Sequence, residues 1–135
     1  MGVPELLRRS PLFDGFDDEQ LERLAAPFSE VEFPEDHVLI EARTPGAGMF
    51  VICDGTVAVE AYGLQRELGP GEVVGEISLV EDDGLRRARV VAKSSVRCLA
   101  LGRPEFEQML EAEPELAGAM RELARERLAE LEGSG

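Results

Sequence analysis

From Ser29 to Gly102 the chain is a succession of short apolar runs, each halted by a turn cluster before a helix could bury a face. Runs of about four to six residues suit strands, and strands at this spacing predict a sandwich or a barrel-like roll. Val31 and Phe33 alternate with acids, and Pro34-Glu35-Asp36 reads as a turn. Val38 and Ile40 alternate next, before the turn cluster Thr44-Pro45-Gly46-Ala47-Gly48. Met49 to Cys53 is continuously apolar, and Asp54-Gly55 reads as a hairpin turn leading to Val57 and Val59. Gly63 marks another turn, Leu64 to Leu68 a strand, and Gly69-Pro70-Gly71 a tight bend. After a helix-like insert, Val90 to Ala92 and Val96 to Leu101 read as two further strands joined at Ser94-Ser95.

Helical patterns flank this region. Pro4 to Arg9 carries Leu6 and Leu7 as a short apolar face. Asp17 can cap a second helix, with Gln20 three residues on completing a capping box. Leu21, Leu24 and Ala25 then repeat at helical spacing. Pro27 ends the helix, because the residue before a proline is pushed out of the helical region, and Phe28 can fold back as a core anchor. At the other end Pro104 suits a first helical turn, with Phe106, Met109 and Leu110 on one face. Pro114 starts a final helix running to about Leu131. The expected architecture is α+β: helices over about 4–27, an antiparallel β-roll resembling a double-stranded β-helix over about 29–102, and helices over about 104–132, all in one domain spanning 1–135.

The charge narrows the function. A formal net charge of -14 repels phosphate backbones, so nucleic acid is not an expected partner. A small anion could be held only in a local pocket of arginines and backbone N–H groups. No apolar run reaches membrane-spanning length, no secretory segment is evident, and a cytoplasmic location without membrane association is expected. Cys53 and Cys98 match no zinc or redox spacing and lie in apolar runs, which predicts buried free thiols. The single histidine, His37, follows a turn and has no partners for a metal site or a nucleophile, so neither catalysis nor a metal is expected, and no cofactor.

One segment has a chemistry of its own. Gly75 lets the backbone approach a ligand closely. From Glu76 through Ile77 and Ser78 a short helix can present free N–H groups to an anion. Arg86 can then grip a phosphate as a two-pronged donor. The string Gly75-Glu76-Ile77-Ser78-Leu79, followed by Arg86-Arg87-Ala88, resembles the phosphate-binding cassette of cyclic nucleotide-binding domains, the β-roll type of catabolite activators and protein-kinase regulatory subunits. Pro45-Gly46 to Val51 with Asp54-Gly55, Gly69-Pro70-Gly71-Glu72 before the cassette, and Pro11-Leu12-Phe13 before the Asp17 helix extend the resemblance over nearly the whole chain. It implies a sensor module that binds cAMP or cGMP, with Glu76 accepting from a ribose hydroxyl and Arg86 on the phosphate.

Two features depart from the family pattern. Arg87 stands where a serine or threonine is usual, and Glu81-Asp82-Asp83 places acids near the phosphate position, where they could pair with Arg86, Arg87 or Arg89. The alternative reading is therefore a degenerate member that serves as an interaction or dimerisation module. On the last helix Leu116, Met120, Leu123, Ala124 and Leu131 share one face, with Arg127 inside it. The family architecture implies that Arg127 could reach the base. The same stripe could form a homodimer contact with Met120 and Leu123 at its core. The chain ends where DNA-binding relatives continue into another domain, so no output domain of its own is expected.

Overall fold

A computed structural model describes residues 2–41, 48–61, 63–75 and 89–134. The expected α+β class, an antiparallel roll between terminal helices, is what it shows. Helix α1 (Val3–Arg8), a single 3-10 turn (Pro11–Phe13) and α2 (Asp18–Ala25) open the chain. The capping box at α2 forms completely: the Gln20 N–H donates to Asp17 Oδ1 at 2.8 Å, and the Asp17 N–H donates to Gln20 Oε1 at 2.9 Å. Helix α2 stops two residues before Pro27, and Phe28 turns inward to meet Phe13 edge-on at 6.3 Å.

The strands are β1 (Ser29–Phe33), β2 (Val38–Ile40), β3 (Gly48–Asp54), β4 (Val57–Ala61), β5 (Leu64–Leu68), β6 (Val73–Val74), β7 (Arg89–Ala92) and β8 (Val96–Gly102). They form two four-stranded sheets, β1-β8-β3-β6 and β2-β7-β4-β5, in which every pair is antiparallel. The first sheet is covered on both faces. From β3, Met49, Val51 and Cys53 join the core under the helices, while Ile52 and Phe50 join the core between the sheets. Strand β8 divides likewise, Leu99 and Leu101 to one side, Val96 and Cys98 to the other. Burial on both faces explains why Met49 to Cys53 is apolar without alternation. The second sheet turns Ile40, Val57, Val90 and Ala92 toward the core between the sheets.

This partition corrects the reading of Asp54-Gly55 as a hairpin turn. Strand β3 already has β6 and β8 as its two neighbours, so β4 cannot lie beside it, and Asp54-Gly55 instead carries the chain from one sheet to the other. Ser94-Ser95 does the same between β7 and β8. The two-residue hairpin lies one strand later, where Ala61 pairs with Leu64 and Gly63 takes φ 75°. The expected turn at Thr44 to Ala47 lies outside the described residues.

Helices α3 (Arg103–Ala112) and α4 (Pro114–Ser134) return over the first sheet. Phe106, Met109, Leu116, Ala117 and Met120 enter the same core as Leu6, Leu7, Phe13, Leu21 and Leu24. Both terminal helical segments thus form one layer on one face of the roll. Met120 has no exposed surface and Leu123 packs partly buried against the same core. This corrects the expectation for Met120: its side chain is spent on intramolecular packing and is not available to a second copy.

Candidate ligand-binding site

The turn before the cassette is built as its glycines require. The Gly71 N–H donates to the Ile52 carbonyl at 2.8 Å, and the Ile52 N–H donates to the Glu72 carbonyl at 2.9 Å, tying this turn to β3. Gly71 has φ 91°, and a Cβ there would stand 2.9 Å from the Arg9 carbonyl oxygen. Only glycine combines that dihedral with so close an approach to the end of α1. Two residues of β6 follow, Val73 and Val74, both buried, paired with Val51 and Phe50.

Gly75 then adopts φ 82°, the positive-φ conformation that suits the glycine opening of the expected cassette. It is the one predicted cassette residue among the described ones. Glu76, Ile77, Ser78, Arg86, Arg87 and Ala88, with the acidic insert Glu81-Asp82-Asp83, lie outside the described residues. The far end of the segment is described from Arg89, which sits opposite Glu60 in the β4–β7 pair. Its guanidinium faces Glu41 at 3.5 Å and Glu60 at 3.6 Å. The described residues on either side of this segment thus lie on different sheets, Gly75 directly after β6 of the first and Arg89 at the start of β7 of the second. Sequence reasoning named Arg89 only as an alternative partner for the acidic insert. Its place on Glu41 and Glu60 follows from strand register, which brings together residues far apart in the chain.

Arg127 lies on α4, one turn beyond Leu123. Its backbone is helical, and its side chain is outside the described residues.

The other candidate reactive groups are quiet. Cys53 and Cys98 are free and buried, as expected. Burial raises the Cys53 thiol above its ordinary value, and burial with the neighbouring Cys53 pushes Cys98 up to about 12. Both are thiols, not thiolates, at neutral pH. The two lie on opposite faces of the sheet, Cys53 under the helices and Cys98 between the sheets. His37 is exposed and stacks on Phe33 with ring centroids 4.8 Å apart. Among the described residues no three His, Cys, Asp or Glu side chains gather as a metal site, and no helix is long and apolar enough to cross a membrane.

Comparison with known proteins agrees with this architecture. The family model for the cyclic nucleotide-binding domain matches residues 30–113. A cyclic nucleotide-gated potassium channel of Mesorhizobium japonicum is 31% identical over 123 residues, 91% of this chain and 34% of the channel, so the chain spans about a third of that relative. The N-terminal domain of a transcriptional regulator from Streptomyces coelicolor A3(2) superposes with a TM-score of 0.76 at 36% identity, covering 93% of this chain and 94% of that one. The regulatory subunit of a cAMP-independent protein kinase A from Trypanosoma brucei superposes with a TM-score of 0.77 at 25% identity, covering 91% of this chain and 43% of that one. With its two-sheet roll, Gly75 at positive φ after β6 and a family match over most of its length, the chain belongs to the cyclic nucleotide-binding domain family.

Proposed function

We propose that this chain is a non-catalytic sensor that binds cAMP or cGMP through the segment Gly75 to Ala88 and passes the bound state to its terminal helices. The observation that carries this reading is the pairing of a cassette sequence with the described ends of its bridge: Gly75 at φ 82° on one side and Arg89 set between two glutamates on the other. A segment held at both ends loses less freedom on binding than a free loop, which favours affinity. In this reading the N–H groups of Glu76, Ile77 and Ser78 and the guanidinium of Arg86 hold the cyclic phosphate, Ala88 leaves room beside it, Glu76 accepts from the ribose hydroxyl, and Arg127 reaches from α4 toward the base. A reducing, cytoplasmic setting accords with two buried cysteines left unbridged.

Titration calorimetry with cAMP and with cGMP tests the reading. Saturable heat with one of them, lost in Arg86→Ala, is expected. The absence of heat and of any thermal shift with both at millimolar concentration would refute it.

A second reading has its own support. Arg87 replaces the hydroxyl residue usual in the family, the acids at 81–83 compete for Arg86, and one similar structure is described as cAMP-independent. In that case the fold is kept as an interaction or dimerisation module. A homodimer would then use α4 beyond Met120, because Met120 itself is committed to the core. Sedimentation of Leu123→Glu against the parent chain distinguishes a dimer from a monomer.

A further inference from the structure

Arg89 is the first residue of β7 and follows Ala88 of the nucleotide segment directly in sequence. Strand β7 runs between β2 and β4. Val90 and Ala92 turn toward the core between the sheets, so strand alternation turns Arg89 to the opposite face. There its guanidinium meets a carboxylate from each side: Nε is 3.5 Å from Glu41 Oε1, and Nη1 is 3.6 Å from Glu60 Oε2.

The two acids hold Arg89 in different ways. Glu60 is its register partner in the β4–β7 ladder. Glu41 lies just past the end of β2, a three-residue edge strand whose register on β7 slips between Val38 and Ile40. Ile40 opposite Val90 is where β2 stops, one residue short of Arg89. The Arg89–Glu41 pair therefore continues the hold where the backbone ladder ends. All three side chains are about half exposed, so either pair alone contributes little. One guanidinium shared by two carboxylates, however, ties the start of β7 to both neighbouring strands at once, a geometry that the planar fork of arginine suits.

We propose that Arg89 is a positioning residue for nucleotide binding: held by Glu41 and Glu60, it fixes the start of β7 and so places Arg86 to Ala88, without touching the ligand itself. This role rests on the nucleotide reading of Gly75 to Ala88. Where only a fraction of the chains hold a binding-competent arrangement, the apparent Kd rises by the inverse of that fraction. Loss of the Arg89 clasp lowers that fraction. High salt acts in the same direction, because half-exposed charges are screened.

The test is calorimetry of the whole chain with cAMP and with cGMP, at low salt and at about 1 M sodium chloride. Arg89→Gln should raise Kd about fivefold at low salt, and Arg89→Lys, which keeps the charge, should recover most of that loss. Glu41→Gln combined with Glu60→Gln leaves Arg89 in place but unheld, and should match Arg89→Gln. At high salt the gap between the parent and Arg89→Gln should close. Arg23→Gln breaks a comparably exposed ion pair, to Glu113 in the helical layer, and should leave Kd within about twofold. A nucleotide bound equally well by the parent and Arg89→Gln overturns the inference and leaves the proposed function standing. Weakening in Arg89→Gln but not in the double glutamine variant would make Arg89 a direct ligand contact, and overturns positioning. Equal weakening in Arg23→Gln would reduce the effect to general stability, and overturns it too. A parent chain that binds neither nucleotide refutes the proposed function, and this role with it. Should Arg89→Gln fail to fold, the double glutamine variant and its salt dependence still decide.

Discussion

Replacing Gly55 by alanine should damage the roll far more than the same change at Gly63, and the structure says by how much. Gly55 carries the chain from β3 to β4 with φ 93°, and Gly63 turns the β4–β5 hairpin with φ 75°. Both force an alanine into positive φ, a cost of about 1–2 kcal/mol, offset by up to about 1 kcal/mol because alanine also restricts the unfolded chain. At Gly63 nothing lies within 4 Å of the added Cβ, so the net loss there is about 1 kcal/mol. At Gly55 the Cβ would overlap the Ser95 carbonyl oxygen and stand 3.0 Å from the Val96 Cα. Both obstacles are backbone, at the turn where β7 passes to β8, so relief requires moving two sheet-crossing corners apart. Overpacking of that kind adds about 1–3 kcal/mol, for a total near 3 kcal/mol. At about 4 °C per kcal/mol, thermal unfolding should fall by about 12 °C in Gly55→Ala and about 4 °C in Gly63→Ala. Urea unfolding at matched pH gives the same ordering through the midpoint. Equal losses in the two variants would refute the close approach of the two corners.

Other expectations follow from the same structure. Asp17→Ala removes one half of the capping box and should cost about 1 kcal/mol in a urea titration, with little further loss when Gln20→Ala is added. Met120→Ala, at a fully buried position, should cost about 2–5 kcal/mol independent of protein concentration, whereas a dimer-core residue would show a concentration-dependent melting point. The folded chain holds the Cys98 proton up to about pH 12 against 9.0 for an ordinary thiol, so its contribution is intact below pH 9 and is lost as pH rises toward 12. Stability should therefore decline across that window at up to about 1.4 kcal/mol per pH unit, and Cys98→Ala should flatten the decline. A thiol reagent at pH 8 should leave both cysteines unmodified until denaturant is added.

What could be read from the chain alone divides along physical lines. The capping box was legible because Asp17 and Gln20 are neighbours in sequence, and a local rule connects them. Strand positions other than β6 were legible because turn residues delimit them, and the end helices because their apolar residues repeat at helical spacing; Val73 and Val74 of β6 fell where the sequence offered only a helix-like insert. The assignment of strands to sheets was not. Asp54-Gly55 has hairpin chemistry, yet the partners that exclude β4 from the side of β3 are β6 and β8, which arrive about 20 and 45 residues later. The unbroken apolar run Met49 to Cys53 was the available hint, since a strand covered on both faces has no polar side to alternate. The cassette was legible as a motif, and its glycine conformation agrees, while its ligand contacts remain the proposal. The Arg97–Asp54 ion pair was invisible for a further reason. Asp54 and Arg97 meet only through the pairing of β3 with β8, and nothing in their local sequences announces it.

Where a cyclic phosphodiester would sit is the central question for this chain. Crystals grown with cAMP or cGMP measure it most directly. Density for the cyclic phosphate against Arg86 and the amide hydrogens after Gly75 is the predicted result. A well-ordered segment whose arginines are satisfied by Glu81, Asp82 or Asp83, with nucleotide absent at saturating concentration, would contradict it.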